Sequence, residues 1–307
     1  MRRLSTLRAA ALRSLQRRVC TSPPAIFTPA QRDAFSRDGF VALENVLSPD
    51  DAAALAEHYS ALFAGEFPTG IYPDEWHWRE GISLPLAFRE IVNGWKSSPL
   101  VARVALAPAL GRAASELMGW SAGARIAQDD VLWKVPNGGG GVGWHTDAAY
   151  ISANFAPRDD NSVTIWIALD DATSPEVGTV AYAVGSHRWR RDGAASAVDS
   201  SFHGSDDPRA PLEAAAAAAG AELEVRTVPV PAGSAIFHHQ DVWHGSEVNR
   251  SATQHRRALG VHLLRADCAF RAAPPPDYIY GRYYRGVREP DDHFFPVVYR
   301  PGDEDVT

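Results

Sequence analysis

From Ala124 to Leu264 the chain is written in short runs rich in Val, Ile, Trp and Tyr, broken by Gly, Pro and Asp. Such runs are strand signals. β-Branched and aromatic side chains suit a pleated surface, and the intervening residues favour turns. The pattern predicts strands over 126–135, 143–150, 163–169, 179–183, 223–229, 234–239 and 258–264. Many short strands joined by turns point to a sandwich or barrel. They exclude alternating βαβ units, which would place a helix between successive strands. No repeat of fixed period is visible.

The preceding part reads as helical. Thr28-Pro29-Ala30-Gln31 has a capping threonine, a proline at the first helical position and a glutamine that closes a capping box. Asp38-Gly39 ends that helix, and a short strand follows over 40–43. Ser48-Pro49-Asp50-Asp51 repeats the cap logic and opens a helix through about Phe63. A third helix is predicted over 100–118. The expected fold class is therefore α+β, an all-β core over 124–270 with flanking helices over 28–120, in one domain spanning 25–302. Residues 190–220, which hold the run Ala214–Ala219, read as a long insertion with one short helix. A functional lid and a passive surface excursion are equally consistent with it.

Composition narrows the function. The 307 residues are 45% hydrophobic, enough for a substantial core. A net charge of −7, with the basic residues dispersed, argues against a general nucleic-acid binder. No apolar run reaches the roughly 18 residues that span a bilayer. The two cysteines, Cys20 and Cys268, make neither a disulfide framework nor a thiolate zinc site. Nothing points to an obligate protein partner. Residues 1–22 hold six arginines, and no acid precedes Asp33. Leu4, Leu7, Leu12 and Leu15 fall near helical spacing between them. This is transit-peptide composition, so residues 1–24 are expected to direct mitochondrial import. Another organelle, or a basic tail on a cytoplasmic protein, is the alternative.

The chemistry centres on His145 and Asp147, which a strand would present on one face. His244 follows 99 residues after His145 and can complete the set from a neighbouring strand. Two imidazoles and one carboxylate leave the opposite side of an ion open, the ligand set of non-haem Fe(II) and O2 chemistry. Twelve residues beyond His244 stands Arg256, whose guanidinium fork suits a carboxylate. The combination reads as a metal with an anchored carboxylate cosubstrate.

Trp144-His145-Thr146-Asp147, then Gly-Ser-His-Arg-Trp over 185–189, then His244-Gly245-Ser246 with Asn249, then Arg256, resembles the phytanoyl-CoA dioxygenase family. So does the opening Phe35-Ser36-Arg37-Asp38-Gly39-Phe40. The resemblance runs from about Phe27 to Tyr299. It implies an Fe(II)- and 2-oxoglutarate-dependent oxygenase on a double-stranded β-helix, the cupin-like jelly roll. His145, Asp147 and His244 match the iron ligands. Arg256 matches the clamp for the distal carboxylate of 2-oxoglutarate, Ser246 the hydroxyl beside it, Lys134 a cosubstrate-positioning lysine and Trp166 an aromatic wall near the iron. Family members often place eleven residues between the distal histidine and the arginine, where this chain has His255. Arg256 gives the better strand match, and a slip of one residue would exchange it with Arg257. An acid at Asp147 favours hydroxylation or another oxidation over halogenation, because related halogenases replace it with Gly or Ala. The implied reaction takes O2 and a small-molecule or lipid-derived substrate, releases succinate and CO2, and has ascorbate as a candidate reductant. A cupin-like Zn2+ hydrolase or isomerase, and a non-catalytic 2-oxoglutarate or metal sensor, are the competing readings.

Other features carry less. Gly138–Gly143 formally fits G-x-G-x-x-G, but no helix is predicted after it, so a turn is expected there. Of His238 and His239, one is expected to face the core or support a ligand. His187 is expected to make a structural hydrogen bond, and His262 to be packed. Tyr150 and Trp243 are substrate-pocket candidates, while Trp76 and Trp78 are equally consistent with core packing. Arg188, Arg190 and Arg191 are the candidates for a CoA phosphate site.

Overall fold

The computed structural model describes residues 27–138, 140–151, 154–189, 207–274 and 279–302. The expected leader over 1–24 lies outside them, as do Arg190, Arg191 and most of the expected insertion. Helix α1 (Pro29–Asp38) begins with the predicted capping box, Thr28 and Gln31 each accepting from the other's backbone N–H. Gly39 ends it at φ 88°, packed so closely that a Cβ would lie 2.5 Å from the His187 ring. β1 (Phe40–Leu43) follows. The Ser48 hydroxyl caps α2 (Pro49–Phe63), whose Leu55, Tyr59 and Leu62 enter the core. The Tyr59 hydroxyl donates to the Ala258 carbonyl at 2.8 Å, tying that helix to the sheet.

After β2 (Glu75–Trp76) and β3 (Arg89–Val92), the single helix predicted over 100–118 is in fact broken. The chain makes α3 (Gly94–Ser97), α4 (Pro99–Ala105) and α5 (Pro108–Met118). Pro108 has no N–H to donate and its ring clashes with the preceding turn, so the helix stops and restarts.

The strands continue as β4 (Ala124–Lys134), β5 (Val142–His145), β6 (Phe155–Ala156), β7 (Ser162–Ala168) and β8 (Val180–Ala183). Then come β9 (Val225–Thr227), β10 (Ala235–His239), β11 (His244–Ser246), β12 (Arg256–Arg265), β13 (Ala269–Phe270) and β14 (Val297–Tyr299). The larger sheet runs β1-β10-β7-β12-β4-β3-β2, with β14 also on β4, and the smaller runs β5-β11-β8-β9. Every pairing among the described strands is antiparallel. The architecture is a jelly roll with helices packed outside it. No helix among the described residues is long and apolar enough to cross a membrane.

Period-two alternation sorts the larger sheet. Val131, Trp133, Ile165, Ile167, Phe237, Leu259 and Val261 face the helices in one buried cluster. Asp130, Leu132, Thr164, Trp166, His238 and His262 alternate with them and line the cavity instead. The predicted strand over 143–150 ends at His145. Ala148–Ile151 is a helical turn, α6, in which the amides of Tyr150 and Ile151 donate back to the Asp147 carbonyl. Ala148 and Ala149 are strong helix formers, and among the described residues neither is paired as a strand. The short helix expected in the insertion is α7 (Ala210–Ala219), which takes in the alanine run. A strand, β5, follows the glycine-rich segment, consistent with a turn there.

Candidate metal centre

His145 and His244 are directly paired across β5 and β11, with ring centroids 4.1 Å apart. Asp147 reaches them from the turn beyond β5. Its Oδ1 lies 3.8 Å from His145 Nε2 and 3.7 Å from His244 Nε2. One donor atom from each of the three falls within 4.8 Å of the others. Each ring is oriented by its own backbone: His145 Nδ1 is 2.8 Å from the Gly143 carbonyl and His244 Nδ1 is 3.1 Å from that of Val242. A carbonyl only accepts, so each Nδ1 carries the hydrogen and each Nε2 keeps its lone pair for an ion. Burial, and then the neighbouring His244, push His145 down to about 3. Burial, and then His238, push His244 down to about 4. Both imidazoles are neutral near pH 7, the state that ligates metal.

The other oxygen of Asp147 is fixed from behind. Thr164 Oγ1 donates to Oδ2 at 2.5 Å and His238 Nε2 at 3.1 Å, while the Tyr182 hydroxyl orients His238 at 3.0 Å. His262 Nδ1 is 2.8 Å from Thr164 Oγ1, and its Nε2 is 2.8 Å from Asp130 Oδ2. Thr164 has spent its hydrogen on Asp147, so His262 donates from both nitrogens and is an imidazolium. Burial opposes that charge, but Asp147 and Asp130 together raise His262 to about 9. Burial likewise opposes the Asp147 carboxylate, yet His244 and His262 hold it well below the usual carboxylate range. Sequence reading missed Thr164, Asp130 and this role of His262. Their only local signal is a polar side chain alternating with core apolar residues, as His262 does between Val261 and Leu263.

Arg256 lines the same cavity of about 870 Å3. It is 2% exposed, its guanidinium lies 5.4 Å from the Trp166 ring centre, and Nη2 is 3.4 Å from Ser246 Oγ. Among the described residues its Nε has no hydrogen-bond partner. A buried N–H without an acceptor is costly, so this geometry suits an incoming carboxylate. Arg257 faces the other way, paired with Asp170 at 2.6 and 2.8 Å and donating to the Ala56 carbonyl at 2.9 Å. Ser246, Trp166 and Tyr150 line the cavity. Two other candidates do not. Lys134, opposite Arg256 in the ladder, directs Nζ to Ser246 Oγ at 2.8 Å and to the carbonyls of Ser246 and Glu247. It braces β11 instead of opening on the cavity. Trp243 precedes His244 and is off the cavity wall, as strand alternation requires. Trp78 packs in the core against Phe63, and Trp76 against Phe67. His187 accepts the expected structural role, Nε2 lying 3.2 Å from the Ser36 carbonyl.

The family model for phytanoyl-CoA dioxygenase (PhyH) matches residues 35–258. The Bos taurus phytanoyl-CoA dioxygenase domain-containing protein 1 is 27% identical over 282 residues, covering 79% of this chain and 91% of that protein. Among solved structures, the non-heme alpha ketoglutarate dependent carbocyclase SnoK from nogalamycin biosynthesis superposes with TM-score 0.66 at 21% identity, covering 90% of this chain and 98% of SnoK. EctD from S. alaskensis, with 2-oxoglutarate and 5-hydroxyectoine, gives TM-score 0.64 at 20% identity, covering 92% and 90%. At these identities the likeness establishes the fold, which is that of the Fe(II)/2-oxoglutarate oxygenases.

Proposed function

The chain belongs to the phytanoyl-CoA dioxygenase family, and from that premise we propose that it is an Fe(II)- and 2-oxoglutarate-dependent oxygenase. It hydroxylates a small-molecule or lipid-derived substrate with O2 and releases succinate and CO2. The observation that carries this reading is one cavity holding both the His145–Asp147–His244 donor set and the buried Arg256 with an unmet Nε–H. Two neutral imidazoles and one carboxylate fit Fe(II) with positions left open.

When bound, the iron and its cosubstrate supply O2 activation and the oxidising step. The residues supply position. His145 and His244 hold the ion through Nε2, and Asp147 through Oδ1, with Oδ2 fixed by Thr164 and His238. Arg256 takes the distal carboxylate of 2-oxoglutarate, with the Ser246 hydroxyl beside it and the Trp166 ring as a wall. Lys134 keeps Ser246 in place. Tyr150 stands on the substrate side of the cavity. Ascorbate serves as the external reductant, and the carboxylate at Asp147 favours hydroxylation over halogenation. We also read residues 25–302 as one oxygenase domain and 1–24 as a mitochondrial leader. Import into isolated mitochondria, followed by N-terminal sequencing, tests the latter.

The function itself is tested by anaerobic Fe(II) titration with and without 2-oxoglutarate. A weak visible charge-transfer band that needs both, and that is lost in Asp147→Ala, is the expected result, followed by succinate release on screening substrates. Bound metal without the band would overturn the reading in favour of a zinc-type or non-catalytic protein.

A further inference from the structure

We infer that the substrate carries a basic nitrogen that docks as an ammonium group on Glu90, with an apolar body filling the rest of the cavity. This rests on the oxygenase reading of the same site. On β3, Arg89 turns outward and stacks over Trp78 and Trp133, 3.8 and 4.3 Å from the ring centres. Alternation therefore turns Glu90 inward, where it lines the cavity beside its ladder partner Leu132.

The neighbouring carboxylates already have cationic or hydrogen-bonding partners. Glu75 pairs with Arg282, Asp130 with His262 at 2.8 Å, and Asp147 with His238 at 3.1 Å. Glu90 differs. Among the described residues the one basic group within salt-bridge reach is the His77 imidazole, 3.9 Å away and half-exposed at the mouth. Burial, and then the nearby Asp130, raise the Glu90 carboxyl to about 8. A carboxylate in such a place is poorly compensated, and a ligand cation that neutralises it gains accordingly. A substrate acid would gain no such partner: Glu90 offers it a neutral carboxyl or a like charge, and Asp130 is already paired with His262. Arg256, the fully buried cation on the wall, is committed to the cosubstrate. The same cavity carries apolar side chains for the rest of a substrate, among them Phe88, Leu132, Ile151, Ile279 and Tyr280.

The test compares three ligands of one shape, n-hexylamine, n-hexanol and hexanoate, by titration calorimetry on the full chain. It is run with Fe(II) and 2-oxoglutarate under nitrogen, and again on metal-free protein with 2-oxoglutarate in excess, so that Arg256 is occupied in both, to separate out direct coordination of the amine. The amine is expected to bind at least tenfold more tightly than the alcohol, and hexanoate more weakly than both, in either preparation. Glu90→Gln should erase the preference for amine over alcohol while retaining hexanol binding. No amine binding, amine no better than alcohol, hexanoate tightest, or a preference that survives Glu90→Gln would each overturn the inference. The wild-type ranking stands by itself if the variant fails to fold. The charge-transfer band separates the two readings. Band without amine preference leaves the oxygenase and removes this inference; amine preference without the band does the reverse.

Discussion

Arg256 and Arg257 are neighbours in sequence on opposite faces of β12, so removing each should injure a different property. In the absence of a bound acid, Arg256 makes one long hydrogen bond among the described residues, 3.4 Å to Ser246, and burial draws its guanidinium down to about 10. Such a charge contributes little to folding. Arg256→Ala should therefore change stability without cosubstrate by no more than about 1 kcal/mol. With 2-oxoglutarate bound, the same side chain offers two charge-assisted hydrogen bonds of roughly 1.5–3 kcal/mol each. Ser246, held by Lys134, remains and recovers part of this. A net loss of about 3 kcal/mol weakens 2-oxoglutarate by roughly 150-fold. Arg256→Lys keeps the charge without the fork and should cost about tenfold. Arg257→Ala leaves Asp170, 19% exposed at its side chain, without its guanidinium and removes the bond to Ala56. Allowing for that partial exposure, it should destabilise the fold by about 2 kcal/mol, with 2-oxoglutarate affinity unchanged within about twofold. The assays are anaerobic 2-oxoglutarate titration of Fe(II)-loaded protein, followed by the visible band, and urea unfolding of the cosubstrate-free protein. Weakened 2-oxoglutarate binding in Arg257→Ala alone, or unfolding of Arg256→Ala, would refute the reasoning.

Three other perturbations follow from the same geometry. Thr164→Val removes the 2.5 Å donor to Asp147 Oδ2 and should weaken Fe(II) by about tenfold; unchanged affinity in a metal titration would show that His238 alone suffices. Gly245→Ala would place a Cβ 2.9 Å from the Val142 carbonyl oxygen and 3.4 Å from Trp144 Cα. β5 must then back away from β11 and part His145 from His244, so Fe(II) affinity should fall about tenfold, and wild-type affinity would contradict the packing. Burial pushes the Cys268 thiol up to about 12, and it is 4% exposed. At pH 8 it stays protonated, so in a Cys20→Ser variant a disulfide reagent should label it only on unfolding; rapid labelling of the folded protein would exclude this burial.

Much of the scaffold is legible locally. Thr28 and Ser48 announce their helices because a capping side chain and a proline at the first turn act within four residues. The central strands declare themselves through β-branched runs. β2 and β3 do not, being short and of mixed composition, nor does β14, whose Val-Val-Tyr is only three residues long; all three are held by their neighbours in the sheet. The three donors are legible as residue types at suggestive spacing, but the local reason offered for them is incomplete. Asp147 stands on the turn after the strand, not beside His145 on it. Lys134 and Trp243, named with the site, lie off the cavity wall, while Thr164, Asp130 and Glu90 lie on it unannounced.

By itself the sequence determined the alternation of polar and apolar positions, the helix caps and the presence of two histidines and an acid suited to one ion. Only the tertiary structure decided which phase of each strand faces inward. That choice depends on register: Arg256 lies opposite Lys134, and Ala258 opposite Ala168. A slip of one residue would send Arg257 into the cavity and Arg256 out to the helices. Alternation is a property of the backbone and can be read along one strand. Its phase is set by pairing with strands far away in the chain, and so is the company each inward side chain keeps.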